Sequence, residues 1–309
     1  MKKIFFALFL LLIGVLSLLI YIRITSGEPV FPESLRGTAS DDTRVPRLDV
    51  TFLDIGQGDA TFISFPNGQQ MLVDCAIDAR ILEALGRVMP FYDRSIDYLL
   101  ITHPDKDHYG GCEDVLERFD IGHIVYTGVQ KEGNQSWQSY MYAQYDEGAA
   151  YTEIAKEDVW NIGSTTVHFF YPDHSVREGT HIPGVEKDTG PNNTSIIFSL
   201  EYMGKRVLLT GDVEAELEAY LVATYGVQLD TDVLKVGHHG SPGSSIPEFL
   251  TATSPAYAII SSGKGNSYGH PSARVLKKLE RIGAETWRTD EKGDILVSIM
   301  LNSLYVGPP

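Results

Sequence analysis

A four-layered αββα sandwich of α/β (α+β) type, behind one N-terminal transmembrane helix, is the architecture this sequence predicts. Three observations carry it. An unbroken apolar run, Ile4 to Ile22, opens the chain. From Leu48 onward, short strand-like segments alternate with segments of helical spacing. These segments fall into two β-rich halves, and two sheets that each bury one face pack best against each other with helices outside.

Lys2 and Lys3 precede the apolar run and Arg23 closes it. About 20 apolar residues span a bilayer core at ~1.5 Å rise per residue. The flanking lysines keep the amino end in the cytoplasm, so the remainder is exported. A cleaved signal peptide is the alternative, although its apolar region is usually ~7–15 residues, and no A-x-A site follows here. Residues 1–23 are therefore read as anchor or signal segment. The chain is expected at the cell membrane as a single-pass protein with an extracytoplasmic C-terminal domain, or secreted if cleaved. Residues 24–47, rich in Pro, Ser, Thr, Gly and Asp, read as a flexible linker. Residues 48–309 form the folded domain.

Within it, LDVTFLDIG, ATFISF and QMLVDCA alternate apolar and polar residues around turn signals, which predicts an antiparallel meander. ARILEALGRVM has helical spacing, and IDYLLIT, largely apolar apart from Asp97 and Thr102, reads as a short strand of the kind buried on both faces. CEDVLERF reads as a helix and IGHIVYTG as a strand. Residues 130–160 read as a helical and irregular excursion. TTVHFFYP, TSIIFSLEYMG, RVLLTGD, DVLKVG and AYAIISS read as strands, AELEAYLVATYG and ARVLKKLERIG as helices, and DILVSIM as the last strand.

A formal net charge of −16 speaks against a protein that grips DNA over a wide basic surface, and suits a pocket that gathers divalent cations. Two cysteines, Cys75 and Cys112, are too few for a disulfide scaffold, lie in unrelated segments, and form no CxxC zinc motif.

The chemistry gathers at strand ends. In His103-Pro-Asp105-Lys-Asp107-His108, four ligand-type side chains fall within six residues, just after a buried strand. Histidine and carboxylate suit zinc, manganese or iron, and ligands at this spacing on one tight turn can face two metal positions. Asp54 and Asp59 flank a GQG turn, where glycine permits positive φ and close backbone approach. Their expected role is to hold the metal loops by hydrogen bonds rather than to ligate.

HPDKDHYGG resembles the HxHxDH signature of the metallo-β-lactamase superfamily, with Asp105 standing at its second histidine. The resemblance covers residues 48–309. It implies a metal-bridging role for Asp212 in TGD, a ligand role for His238 in VGHHGS, and a supporting role for Asp74 in LVD. Taken together, DIGQGDA, THPDKDHYGG, PNNTS, LLTGD and LKVGHHGS resemble the hydrolase domain of the ComEC competence family. That domain normally accompanies a multi-helix channel, whereas this chain has one apolar span. The superfamily's third histidine has no counterpart in PNNTS, and Asn192 or Asn193 is expected in its place, giving a carboxylate-richer site for zinc or manganese.

The implied chemistry is hydrolysis assisted by two divalent ions, which acidify a water and stabilise attacking and leaving oxygens. Asp107 orients the water or ligates the second ion with His108. His239 either protonates the leaving group or is a core-edge histidine. Lys235 is either a phosphate contact or an ordinary strand lysine, and His270 in GHP is expected near the metal-bearing edge. A phosphodiesterase or nuclease working outside the cytoplasmic membrane is the favoured activity. It implies a nucleic-acid or other phosphodiester substrate and a separate DNA-channel protein. Two other readings stay open, a lactone or amide (β-lactamase-type) hydrolase and a non-catalytic metal-binding surface module of a DNA-uptake system.

Overall fold

The computed structural model describes residues 46–179 and 181–309. The expected membrane segment, and the linker up to residue 45, lie outside the described residues. Among the described residues no helix is long and apolar enough to cross a membrane.

The expected meander forms as β1 (Leu48–Phe52), β2 (Thr61–Ser64) and β3 (Gln70–Val73), each antiparallel to the next. Helix α1 (Arg80–Val88) then crosses over to β4 (Ser95–Leu100), which lies parallel to β3. The short α2 (Lys106–Tyr109) and α3 (Cys112–Arg118) lead to β5 (Asp120–Tyr126), parallel to β4. The segment read as irregular holds more order than its composition suggested. It contains α4 (Gln135–Glu147) and two edge strands, β6 (Ala150–Glu153) and β7 (Asp158–Ile162). They turn Ala150, Tyr151 and Val159 to solvent, as edge strands tolerate, so apolar residues there do not mark a buried face.

The second sheet continues with β8 (Thr165–Tyr171), β9 (Ile197–Tyr202), β10 (Lys205–Leu209), β11 (Val233–Lys235), β12 (Tyr257–Ile260) and β13 (Glu285–Arg288). Helices α5 (Ala215–Tyr225), α6 (Pro247–Thr253) and α7 (Ala273–Ile282) cover its outer side, and α8 (Thr289–Lys292) follows β13. DILVSIM is not the chain's last strand. As β14 (Ile295–Met300) it returns to the first sheet beside β1, and β15 (Ser303–Gly307) completes a closing hairpin. The strand orders are 15-14-1-2-3-4-5-6 and 13-12-11-10-9-8-7.

Alternation along the strands builds the layers. Leu48, Val50 and Phe52 of β1 meet Val207 and Leu209 of β10 in the core between the sheets. Their neighbours Phe62, Leu72 and Leu208 turn outward into the helix-facing layer. Truncating a fully buried leucine such as Leu208 to alanine would cost about 2–5 kcal/mol.

The parallel strands position the site. Asp74 follows β3, His103 follows β4, Asp212 follows β10, His239 follows β11 and Ser261 follows β12. The carboxyl ends of parallel strands open onto one edge of such a sheet, where ligands bind in α/β folds. Both sheets turn that edge toward each other, and the loops meet there.

Candidate metal centre

Three buried imidazoles point the same nitrogen inward. The His108 Nδ1–H donates to Asp74 Oδ2 at 2.7 Å, and the His239 Nδ1–H donates to the Ser261 carbonyl at 3.0 Å. Both acceptors lack a proton, so in the neutral rings the proton sits on Nδ1 and the Nε2 lone pair is free. His103 Nδ1 lies 3.1 Å from Thr102 Oγ1 and 3.3 Å from Ser195 Oγ. The Thr102 hydroxyl donates to Asp74 Oδ2 at 2.8 Å, which leaves its oxygen to accept from His103. Nε2 of His103, His108 and His239 is buried in each case and makes no hydrogen bond.

The carboxylates converge on those nitrogens. Asp212 Oδ2 lies 3.3 Å from both His108 Nε2 and His239 Nε2, and Asp107 Oδ2 lies 3.3 Å from His239 Nε2. Ligand atoms of His103, His108 and Asp212 lie within 4.8 Å of one another, as do those of Asp107, His108 and His239. Asp107 and Asp212 face this space, whereas Asp74 and Asp59 stand behind the His108 and His239 rings, with Lys235 paired to Asp59. Asp74, Asp107 and Asp212 are left without a lysine or arginine ion pair, so positive charge on the imidazoles or from bound cations offsets them.

The titration behaviour carries the same sign. Burial disfavours the charged forms of Asp212 and Asp59, yet His239 and His108 hold Asp212 well below the usual carboxylate range, and Lys235 with His239 holds Asp59 below it. Burial opposes charge on His108 and His239 too. Asp212 with Asp74 raises His108 well above its ordinary value, and Asp212 with Asp59 does so for His239. Asp107 is also lowered despite burial, by His239 and His108.

Close backbone packing fixes the ligand loop. Gly58, at φ +117°, sits where a Cβ would lie 2.3 Å from the Asp107 carbonyl, and the Asp59 N–H donates to that carbonyl at 3.1 Å. A side chain there would push the loop away, so the GQGD turn is required by contact as well as by φ.

The remaining expected residues divide. Asp59 lies behind the centre, 3.5 Å from His239 Nδ1. Asp105 Oδ2 is 3.7 Å from His103 Nε2, and its other oxygen pairs with Lys131 Nζ at 2.5 Å. Asp54 is not brought in, since it is exposed and closes a local turn with Gly56 beside Asp294. Asn193 is buried as a loop staple, accepting from the Glu214 N–H at 2.9 Å and donating to the Thr189 carbonyl. Asn192 Nδ2 donates to Glu214 Oε1 at 3.2 Å, and the PNNTS residue that touches a cluster histidine is Ser195.

The placement of the histidine pair reverses the expected one. The turn Gly237–Gly240 holds His238 and His239 at φ 48° and 52°, both left-handed. This twist sends the His239 ring inward and leaves His238 at the rim, 24% exposed, with Nδ1 3.1 Å from Glu214 Oε1. His270 joins that rim, its ring 5.5 Å from His238 and 5.8 Å from Tyr268. Lys235 does not face the cleft either. It is 3% exposed, with Nζ 2.5 Å from Asp59 Oδ2 and 3.2 Å from the Gly211 carbonyl, which leaves no route to a substrate. His174, set against Asp173 and the His181 carbonyl, stays outside the cluster.

The two cysteines also correct their sequence reading. Cys75 and Cys112 form a disulfide, because the glycine pair Gly110–Gly111 lets α3 begin against the loop after β3.

The centre has the donor set of a divalent-metal site, and one comparison decides its family. The metallo-beta-lactamase superfamily profile matches residues 53–264, from the first site turn to the loop after β12. This chain belongs to the metallo-beta-lactamase superfamily. Members of this fold imply divalent metal ions, and the three unpartnered buried Nε2 atoms with Asp212 and Asp107 fit that requirement. Among curated relatives, the chain is 32% identical over 265 residues to ComE operon protein 3 of Bacillus subtilis (strain 168), covering 80% of this chain and 32% of that protein. It is 30% identical to Competence protein ComA of Neisseria gonorrhoeae, covering 79% and 31% respectively. The chain thus spans about a third of the length of these relatives. Among solved structures, the metallo-beta-lactamase fold protein YhfI from Bacillus subtilis aligns with a TM-score of 0.52 at 11% identity, covering 82% of this chain and all of that one. That likeness confirms the superfamily fold.

Proposed function

We propose that this superfamily member is a metal-dependent phosphodiesterase that works on nucleic-acid strands outside the cytoplasmic membrane. The observation that carries the reading is the convergence of three Nε2 atoms, each with its Nδ1 held from behind, on the shared carboxylate of Asp212. Two divalent ions bound there would supply Lewis acidity and an acidified water. His103, Asp105 and Asp212 would hold one, and Asp107, His108, His239 and Asp212 the other. Thr102, Ser195, Asp74 and Asp59 keep the rings oriented, which outer partners of metal ligands normally do.

Oxygen donors at Asp105 and Asp212 make the first position richer in carboxylate than three histidines would, and Asp107 adds another at the second. Such a set suits manganese as well as zinc. Competence proteins among the relatives support a role in DNA uptake, with a DNA-channel protein as the partner that would supply the strand. The apolar run at Ile4–Ile22 and the Cys75–Cys112 disulfide both support export, because disulfides persist in oxidising compartments.

The test is turnover by the purified chain with manganese or zinc. Hydrolysis of bis(p-nitrophenyl) phosphate and single-stranded DNA is expected, and its loss in Asp107→Ala. Nitrocefin turnover without phosphodiester cleavage would replace this reading with an amide hydrolase. Metal binding with no turnover of either would leave a non-catalytic module.

A further inference from the structure

We propose that the Cys75–Cys112 disulfide is a positioning clamp on the metal-ligand loop, so that metal retention depends on an oxidised environment. The inference rests on the metal-centre reading above and adds a redox condition to it.

The bond closes a ring whose ends are 37 residues apart, and His103, Asp105, Asp107 and His108 all lie inside that ring. Both cysteines adjoin the site. Cys75 follows Asp74, whose carboxylate receives the His108 Nδ1–H, and the Cys75 N–H donates to the His108 carbonyl at 2.6 Å. Cys112 lies four residues past His108 and opens α3, with Gly110 and Gly111 between. A Cβ on Gly110 would meet the Ile77 carbonyl at 2.1 Å, and one on Gly111 would meet the Cys75 carbonyl at 2.4 Å. The two strand-end loops are therefore pressed backbone to backbone, with the disulfide as the covalent tie.

The strain at the junction gives the tie work to do. Asp74 and Ala76, on either side of Cys75, take φ of 59° and 62°, the left-handed region that non-glycine residues avoid. Both sulfur-bearing residues are fully buried. Without the bond, the loop after β3 loses its tether while held in a strained backbone, and Asp74 loses its fixed distance to His108. On reduction by a dithiol, one thiolate attacks a sulfur, the second resolves the mixed disulfide, and Cys75 and Cys112 leave as thiols while the reductant becomes a disulfide.

The experiment compares the full oxidised chain with Cys75→Ser/Cys112→Ser, a variant that cannot contribute thiolate ligands. Each is loaded with manganese and competed with a chelator, and folding is followed by near-ultraviolet circular dichroism. A tie that orients an outer metal partner should change retention on the scale of such partners, about 10-fold or more. The expected result is at least that weakening in the variant, with the native circular dichroism preserved. Equal retention by the two proteins overturns the clamp while leaving the metal reading intact. Loss of the fold in both the variant and the dithiol-reduced wild type would also overturn it, making the bond a global staple. Failure of the oxidised chain to bind metal at all would remove the metal reading, and the clamp with it.

Discussion

His238 and His239 are consecutive, share one left-handed turn, and end in different chemical surroundings. The inner region holds His103, His108, His239, Asp107 and Asp212, all with a ligand atom turned to one space and mostly sealed from solvent. The rim holds His238, His270, Glu214 and Asn192 a ring's width away. Residue type does not separate the two regions. What separates them is the partner behind each ring. An inner imidazole gives its Nδ1 proton to a fixed acceptor and keeps Nε2 free, whereas His238 spends Nδ1 on a carboxylate that itself reaches solvent. A histidine becomes ligand-like when burial and a rear acceptor together fix its tautomer.

The sharpest test of that division is His239→Ala. It removes a free Nε2 between Asp107 and Asp212, so metal content and turnover should fall by more than the roughly 10- to 100-fold that loss of an outer partner brings. Metal analysis of the purified variant, alongside phosphodiester turnover, reads it. Near-normal metal content would erase the distinction between inner region and rim.

Behind the inner region lies its most costly ion pair. Lys235 and Asp59 are each about 3% exposed, with 2.5 Å between Nζ and Oδ2. Lys235→Met leaves Asp59 charged, buried and without that partner, which should cost about 3–5 kcal/mol in denaturant unfolding. Adding Asp59→Asn should recover part of that loss. No recovery would mean that Lys235 stabilises through the Gly211 carbonyl rather than through Asp59.

Much of the first sheet's contribution was legible in the sequence, because its ligands crowd into six residues after one apolar strand. The second sheet's contribution is spread from Asp212 to Ser261, and only topology brings it together. Choosing between two adjacent histidines needed the backbone, since no pattern in VGHHGS signals two successive positive φ angles. Thr102 and Ser195 sit inside recognisable motifs, but hydroxyls that orient rings carry no spacing signature of their own. Lys131 lies 26 residues beyond Asp105, in a loop with no motif at all. The missed strands β6 and β7 are edge strands that expose Ala150, Tyr151 and Val159, so apolar residues there do not mark a buried face. The cysteines misled because sequence distance says nothing about loops that meet at a sheet edge.

A smaller effect concerns the segment just beyond the histidine turn. Glu218 of α5 is buried, and its two oxygens accept the Ser245 and Ile246 N–H groups at 2.7 Å each, pinning the segment that follows the histidine turn. Burial pushes its pKa from an ordinary 4.5 up to about 7. The folded chain therefore keeps this proton at pH values where the unfolded chain has lost it. The associated stability is full below about pH 4.5 and is lost as pH rises through about 7, amounting to about 3 kcal/mol at ~1.4 kcal/mol per pKa unit. Glu218→Gln should flatten that part of the stability–pH curve, whatever its constant offset. An unchanged slope between pH 4.5 and 7 would assign the decline to other groups.

His238→Ala should produce the smallest effect, and it is the control that gives the first prediction its meaning. The rim ring touches Glu214 and Asn192, and its nearest aromatic neighbour is His270 at 5.5 Å. A half-exposed ion pair of this kind contributes about 0–1 kcal/mol, so unfolding should hardly move. Metal content should equal that of the wild type, since His238 does not join the inner groups. On the proposed phosphodiesterase reading, any change in turnover should appear in KM for a long strand rather than in kcat for bis(p-nitrophenyl) phosphate, because a rim residue would meet such a substrate outside the reacting bond. If His238→Ala instead empties the site of metal while His239→Ala does not, the turn must hold the opposite ring inward in solution. The inner and rim assignments would then exchange.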